Sequence, residues 1–209
     1  MAHLAAEGIG AAAIDLRGHG GLVQSADFPD QGLWEMVEDV REAAQSLPSG
    51  IRLAGHSLGA RVALHAAAGM SFRGLALLAP AARSRVLPRF SSGRSVAPPP
   101  ADRAGKWFLS GGGVEIANYL ARLCPESPRF LNDCFHDAAE VDPGAVTCPI
   151  LCLSGGKDGS PLHPAGQDEE IAARFRARLY KIPQSGHCMM MDGGRRLAVE
   201  HILQWISET

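Results

Sequence analysis

The sequence predicts an α/β fold: a mostly parallel sheet of about five strands, flanked by helices and interrupted by a helical insertion. Three observations carry this. Short apolar runs alternate with helical patterns over residues 10–80. Those runs are apolar throughout, as strands covered on both faces are. Residues 81–146 then show helical patterns and no strand of quality, after which strand and helix alternate again. A chain of 209 residues is one domain, with room for an insertion, and can bury a sizeable core. The parts are 1–80, the first portion of the core; 81–146, the insertion; and 147–209, the second portion of the core.

Gly10-Ala-Ala-Ala-Ile14 is apolar, ends at Asp15 and breaks into the turn-rich Arg17-Gly-His-Gly-Gly21, which reads as a buried strand entering a loop. Leu33, Met36, Val37, Val40, Ala44 and Leu47 recur at helical steps and are closed by Pro48-Ser-Gly50, an amphipathic helix. Ile51 to Ala54 is a second strand. Leu58 to Ala68 is a helix without a strong polar face, stopped at Gly69. Gly74 to Ala79 is a third strand, ended by Pro80. Within the insertion, Pro98-Pro-Pro100 and Gly111-Gly-Gly113 punctuate helical patterns at Ile116–Leu123 and Pro128–Phe135. Pro149 to Leu153 is a strand, Glu169 to Ala177 a helix and Arg178 to Ile182 a last strand. Arg195 to Ile206 closes the chain as a helix with Ala198, Val199, Ile202, Trp205 and Ile206 on one face.

Composition removes several classes. Lys and Arg total 20 against 22 Asp and Glu, a formal charge of -2, which does not mark nucleic acid or an anionic membrane as partner. No apolar run approaches the ~18 residues of a membrane span. Met1 to Gly8 has neither a basic n-region nor a long apolar stretch, so no secretory leader is expected. Five cysteines are an odd number for a disulfide framework. A reduced, soluble, cytoplasmic protein is expected, with a homo-oligomer left open.

Gly55-His56-Ser57-Leu58-Gly59 lies between a strand and its helix, the context a Gly-x-Ser-x-Gly turn requires. Such a turn strains the backbone at its centre, so Gly55 and Gly59 are expected to admit neighbouring backbone. It also raises a serine hydroxyl at the sheet edge, at a helix N-terminus that favours negative charge. A serine nucleophile needs a base, and the base needs an orienter. Among eight histidines, His187 follows the last strand, at the same edge as Ser57. Asp158 follows the preceding strand in Gly155-Gly-Lys-Asp158, and the order Ser, Asp, His suits this arrangement. Asp133 and Asp137 in the insertion are the competing carboxylates.

On these residues, and on Asp15-Leu-Arg-Gly-His-Gly20, the sequence resembles the α/β-hydrolase superfamily, in its branch of small lidded serine esterases and acyl hydrolases. The resemblance spans nearly the whole chain. It implies Ser57 as nucleophile, His187 as general base and acid, Asp158 as orienter, and residues 81–146 as a cap over the pocket. Branches with an aspartate nucleophile fit poorly, because this elbow carries serine. The family usually begins with three further strands and a His-Gly-type loop, so the fold is expected in an N-terminally shortened form. That loop supplies one oxyanion N–H; the other corresponds to Leu58. Losing one such donor costs on the order of 10²–10³ in rate. The missing third strand belongs between residues 10–15 and 51–54, and those two segments are expected to pair directly or through another chain.

The other signals are weak. Gly8-Ile-Gly10-Ala-Ala-Ala13 matches a dinucleotide pattern in the wrong context, since a helix precedes it and a strand follows. Cys148 and Cys152 read as core, and Cys188 is not required while Ser57 holds the elbow. Arg17 and His19 read as braces of their loop. Arg83, Arg85, Arg89, Arg94, Arg103 and Lys106 form a basic stretch that suits a solvated loop better than an anionic substrate. Trp107, Phe108, Tyr119, Phe130 and Phe135 read as the insertion's core, and His56, Trp107 and Phe108 are the candidate substrate contacts. The expected activity is cleavage of a carboxylic ester or thioester of a small, largely apolar acyl compound through an acyl-enzyme, with no metal or organic cofactor. The alternative is a non-catalytic or weakly active binding protein on the same frame.

Overall fold

The computed structural model describes residues 2–22, 24–84, 86–110 and 114–209. Four strands form one sheet in the order β1 (Arg52–His56), β2 (Gly74–Leu78), β3 (Ile150–Gly155), β4 (Arg178–Ile182), every neighbouring pair parallel. β2 and β3 are buried throughout, which is why Gly-Leu-Ala-Leu-Leu and Ile-Leu-Cys-Leu-Ser-Gly lack polar alternation. The described helices are α1 (Ala2–Ala6), α2 (Leu33–Gln45), α3 (Leu58–Ala67), α4 (Ala101–Phe108), α5 (Val114–Leu120), α6 (Pro128–Asn132), α7 (Gln167–Phe175) and α8 (Arg195–Glu208).

On one face of the sheet, Leu33, Met36, Val37 and Val40 of α2 meet Ala60, Val62, Ala63 and Ala66 of α3 and the side chains of Leu75 and Leu77. The small residues of α3 let α2 come close. Ile171 and Phe175 of α7 join this core from its edge. On the other face, Leu151, Leu153 and Ile182 pack on Ala198 and Trp205 of α8. β2 starts on glycine for a steric reason: a Cβ at Gly74 would sit 2.6 Å from the Trp205 indole.

Residues 10–15 correct the sequence reading. They form no strand, and Gly10 to Asp15 are exposed, Ile14 to 43%. Three alanines offer little apolar area to drive burial, so an apolar run alone did not specify a strand. The sheet accordingly has four strands, and residues 10–15 do not pair with β1. β1 is an edge strand with Ala54 exposed at its middle. An unpaired backbone group costs about 1–3 kcal/mol only when kept from water, and this edge faces solvent. The loop beyond is well braced nonetheless. Arg17 pairs with Asp39 and donates to Gln31, and His19 Nε2 lies 3.1 Å from Glu126. Gly8 to Ala13 opens no helix, so the dinucleotide pattern has no structural counterpart. Helix α2 ends before Leu47, which is 40% exposed.

Between β2 and β3 run α4, α5, α6 and a lone bridge between Val96 and Glu126. Phe130 and Phe135 are buried there. Asp133 Oδ2 accepts the Leu33 N–H at the start of α2 (2.9 Å), and Asp137 pairs with Arg89. Gly111 to Gly113 and Arg85 lie outside the described residues. Among those described, no helix is long and apolar enough to cross a membrane.

Candidate active site

β1 turns into α3 through Ser57, whose φ of 54° and ψ of -119° place a non-glycine residue in strained backbone. The surroundings over-determine it: its carbonyl accepts the N–H groups of Ala60, Arg61 and Ala81, and its own N–H donates to Leu78. Ala79, at the end of the adjacent strand, is also held at positive φ, 42°. A Cβ at Gly55 would lie 2.4 Å from the Gly59 carbonyl, so glycine is required there. Gly59 differs from the expectation: a Cβ there would meet nothing within 4 Å, because open space lies beside the start of α3. The Leu58 N–H heads this ten-residue helix and meets no acceptor among the described residues.

Two further strand ends bring Asp158 and His187 to Ser57. Ser57 Oγ lies 2.8 Å from His187 Nε2, and His187 Nδ1 lies 2.7 Å from Asp158 Oδ2. An ionised carboxylate can only accept, so Nδ1 carries the ring proton and Nε2 is free to accept from the serine hydroxyl. Asp158 Oδ1 takes the Ser160 N–H. Burial alone would raise the Asp158 pKa, but the hydrogen bond and charge of His187, with Ser160, hold it below the ordinary carboxylate value. Close packing of the two loops sets this geometry. Gly156 and Lys157 donate to the Ile182 and Ser185 carbonyls, and a Cβ at Gly155 would be 2.3 Å from the Gly186 carbonyl.

His56 is turned toward His187 rather than outward to a ligand: its Nε2 lies 2.9 Å from the His187 carbonyl. Burial, reinforced by His187, pushes its pKa down to about 3, so it stays neutral and donates. Phe108 places its ring 5.7 Å from that of His187, and its carbonyl accepts the Cys188 N–H. Trp107 packs edge-on to Phe108, one step farther away. Tyr119 shares a hydrogen bond with the Cys188 thiol (3.4 Å). Burial raises that thiol to about 11, so it is not a thiolate near neutral pH.

Four residues beneath the site carry no readable sequence signal. Asp192 is buried and accepts from Ser185 Oγ, Gly186 N–H and Gly194 N–H, tying the His187 loop to α8, with Ser110 Oγ 2.9 Å away. His163, Gln167 and Asp168 lie behind Asp158, all buried. A histidine five residues beyond an aspartate in a loop matches no motif. The ligand atoms of Asp158, His163 and His187 fall within 4.8 Å of one another. The 2.7 Å separation of Asp158 from His187 is nevertheless that of a hydrogen bond, well below the ~3.3 Å between two ligands on a tetrahedral zinc. As it stands, the Asp158–His187 contact is a hydrogen bond of the kind that supports proton transfer. Two open hollows, of about 420 and 400 Å³, lie elsewhere, against the start of α8 and beside Arg17.

A parallel sheet bearing a serine on a strained strand-to-helix turn, with a His–Asp pair on two neighbouring strand ends, defines an α/β-hydrolase type of fold. The model of the alpha/beta hydrolase family matches residues 1–200, and the chain belongs to that family. Comparison with curated protein sequences gave no match. Among solved structures, the chain is similar to a methylesterase protein, MES16, from Arabidopsis, with a TM-score of 0.81 and 16% identity over 100% of this chain and 91% of that one. It is also similar to a monoacylglycerol lipase from Paleococcus ferrophilus (TM-score 0.76, 18% identity, 98% of this chain and 85% of that one). Polyneuridine aldehyde esterase gives a TM-score of 0.76 at 15% identity, over 99% of this chain and 91% of that one. At such identities the likeness is one of fold.

Proposed function

We propose that this protein is a serine hydrolase that cleaves a carboxylic ester or thioester of a largely apolar acyl compound. The observation that carries this reading is the hydrogen-bonded series Ser57–His187–Asp158, at 2.8 and 2.7 Å, headed by a serine on a strained elbow. Ser57 Oγ attacks the carbonyl carbon as His187 Nε2 takes its proton. The tetrahedral oxyanion is received by the Leu58 N–H and the positive end of α3. Collapse breaks the bond to the alcohol or thiol, which leaves with the proton from His187. A water activated by His187 then hydrolyses the acyl-enzyme. Asp158 keeps His187 in the productive tautomer and stabilises its imidazolium. Residues 81–146 serve as the cap, with Phe108 and Trp107 lining the acyl side and His56 steadying the His187 backbone.

A fluorophosphonate probe tests this directly. Labelling at Ser57, lost together with ester turnover in Ser57→Ala while the fold is kept, is the expected result. Turnover should fall by on the order of 10⁴-fold or more. A second reading has its own observation: among the described residues no second backbone segment brings an N–H beside that of Leu58, and open space adjoins Gly59. A folded protein inert to the probe makes it a binding protein on a hydrolase frame.

A further inference from the structure

Asp158 faces two imidazoles. Its Oδ2 lies 2.7 Å from His187 Nδ1 and 3.9 Å from His163 Nε2. The His163 ring stands edge-on to that of His187, centroids 5.2 Å apart. Its Nε2 also lies 3.0 Å from Oδ1 of Asp168, a carboxylate only 2% exposed. That oxygen has no hydrogen-bond partner among the described residues, so the 3.0 Å approach of His163 is a close contact of favourable charge and not an aligned hydrogen bond.

Gln167 fixes the tautomer of this second ring. The Pro80 carbonyl can only accept, so the Gln167 atom 2.7 Å from it is the amide nitrogen. The same nitrogen lies 3.0 Å from His163 Nδ1, which must therefore accept. The ring proton is left on Nε2, the nitrogen beside the two carboxylates, at 3.0 Å from Asp168 and 3.9 Å from Asp158. A buried imidazole fixed at Nδ1 by Gln167, with its N–H nitrogen set beside the acid that orients the base, exceeds what packing requires.

We propose that His163 is a positioning residue of the catalytic apparatus, an inference that rests on the ester-hydrolase reading above: in its Nε2–H tautomer it holds Asp158 toward His187, and a second proton undoes that arrangement. Protonated at Nδ1, the ring would oppose an N–H donor of Gln167, itself anchored to Pro80, while its new charge draws Asp158 Oδ2 away from His187. The groups facing His163 are Asp158 on the loop after β3, Asp168 and Glu169 on α7, His187 on the loop after β4 and His56 at the end of β1. Burial alone would lower the His163 pKa, but Asp168, then Asp158 and Glu169, outweigh it and hold it above the ordinary histidine value. The sign follows. As pH falls, His163 gains its second proton at a higher pH than a free histidine does, so the acidic limb of activity contains one protonation more than the nucleophile and its base alone would give.

The test is the pH profile of kcat/KM for wild type, His163→Leu and His163→Gln. Wild type should fall on the acid side with a logarithmic slope approaching two. His163→Leu should lose roughly 10–100-fold in kcat with KM within about twofold, and its slope should drop to one. His163→Gln keeps an N–H donor but cannot titrate, so it should recover most of kcat and retain a slope of one. Nitrogen NMR of the wild-type imidazoles at alkaline pH, where His163 has lost its second proton, should show the Nε2–H tautomer, a measurement independent of whether any variant folds. A wild-type slope of one, a neutral His163 ring whose proton sits on Nδ1, or variants that match wild type in kcat and slope would overturn this role while ester hydrolysis stands. A wild type that neither turns over esters nor labels at Ser57 removes the hydrolase reading and this role with it.

Discussion

Around His187, on the β3–β4 side of the site, polar groups are closely engaged. Nδ1 has Asp158, the carbonyl has His56, and Asp192 gathers two backbone amides and a serine hydroxyl under the loop. Around Ser57, on the β1 side, the surroundings thin out. Ala54 is exposed, Gly59 opens onto empty space, and residues 10–15 lie in water. On the proposed reading, the first side handles protons and the second polarises a carbonyl. Moving a proton requires fixed partners at hydrogen-bond distance, which local loops supply. Polarising a carbonyl requires converging N–H groups, which need a second backbone segment beside the elbow. On that reading the serine is activated better than the substrate is.

Breaking the well-built side should produce the largest effect. Asp158→Asn is expected to cost on the order of 10⁴-fold in kcat with KM nearly unchanged, measured by steady-state ester hydrolysis. Asp133→Asn and Asp137→Asn should stay within about twofold, since those carboxylates face the start of α2 and Arg89. The reverse pattern would give the orienting role to the insertion. Asp192→Ala sharpens the comparison more gently. It strands the Gly186 N–H and the Ser185 hydroxyl, so stability should fall by roughly 2–4 kcal/mol in a denaturant melt. Turnover should drop by about tenfold as the His187 loop loosens.

How much was legible in the sequence differs between the same two sides. β2, β3, β4, α2, α3 and α8 announce themselves because burial imposes periodicity: Met36, Val37 and Val40 line one helix face, and Leu75 and Leu77 one sheet face. That Ser57, Asp158 and His187 would meet was legible because each follows a recognisable strand, and strand ends converge at one edge of a parallel sheet. Gly10 to Ile14 misled for a plain reason. An apolar run records what a segment can bury, and whether it does depends on a neighbour that lies elsewhere in space. His163, Asp168 and Asp192 stayed hidden because loop residues meet through tertiary packing that leaves no spacing to read.

The edge strand has a consequence for how its amides exchange with solvent. The Ile51 carbonyl accepts from Arg73, and the Ser57 N–H donates to Leu78. Residues 51, 53, 55 and 57 therefore turn their peptide groups toward β2, and Arg52, Ala54 and His56 turn theirs outward. Deuterium uptake should alternate along the strand with a period of two, slow at Leu53 and Gly55 and fast at Arg52 and Ala54. Uniformly slow uptake from Arg52 to His56 would reveal that, in solution, another segment of chain is laid along this edge beside Ser57.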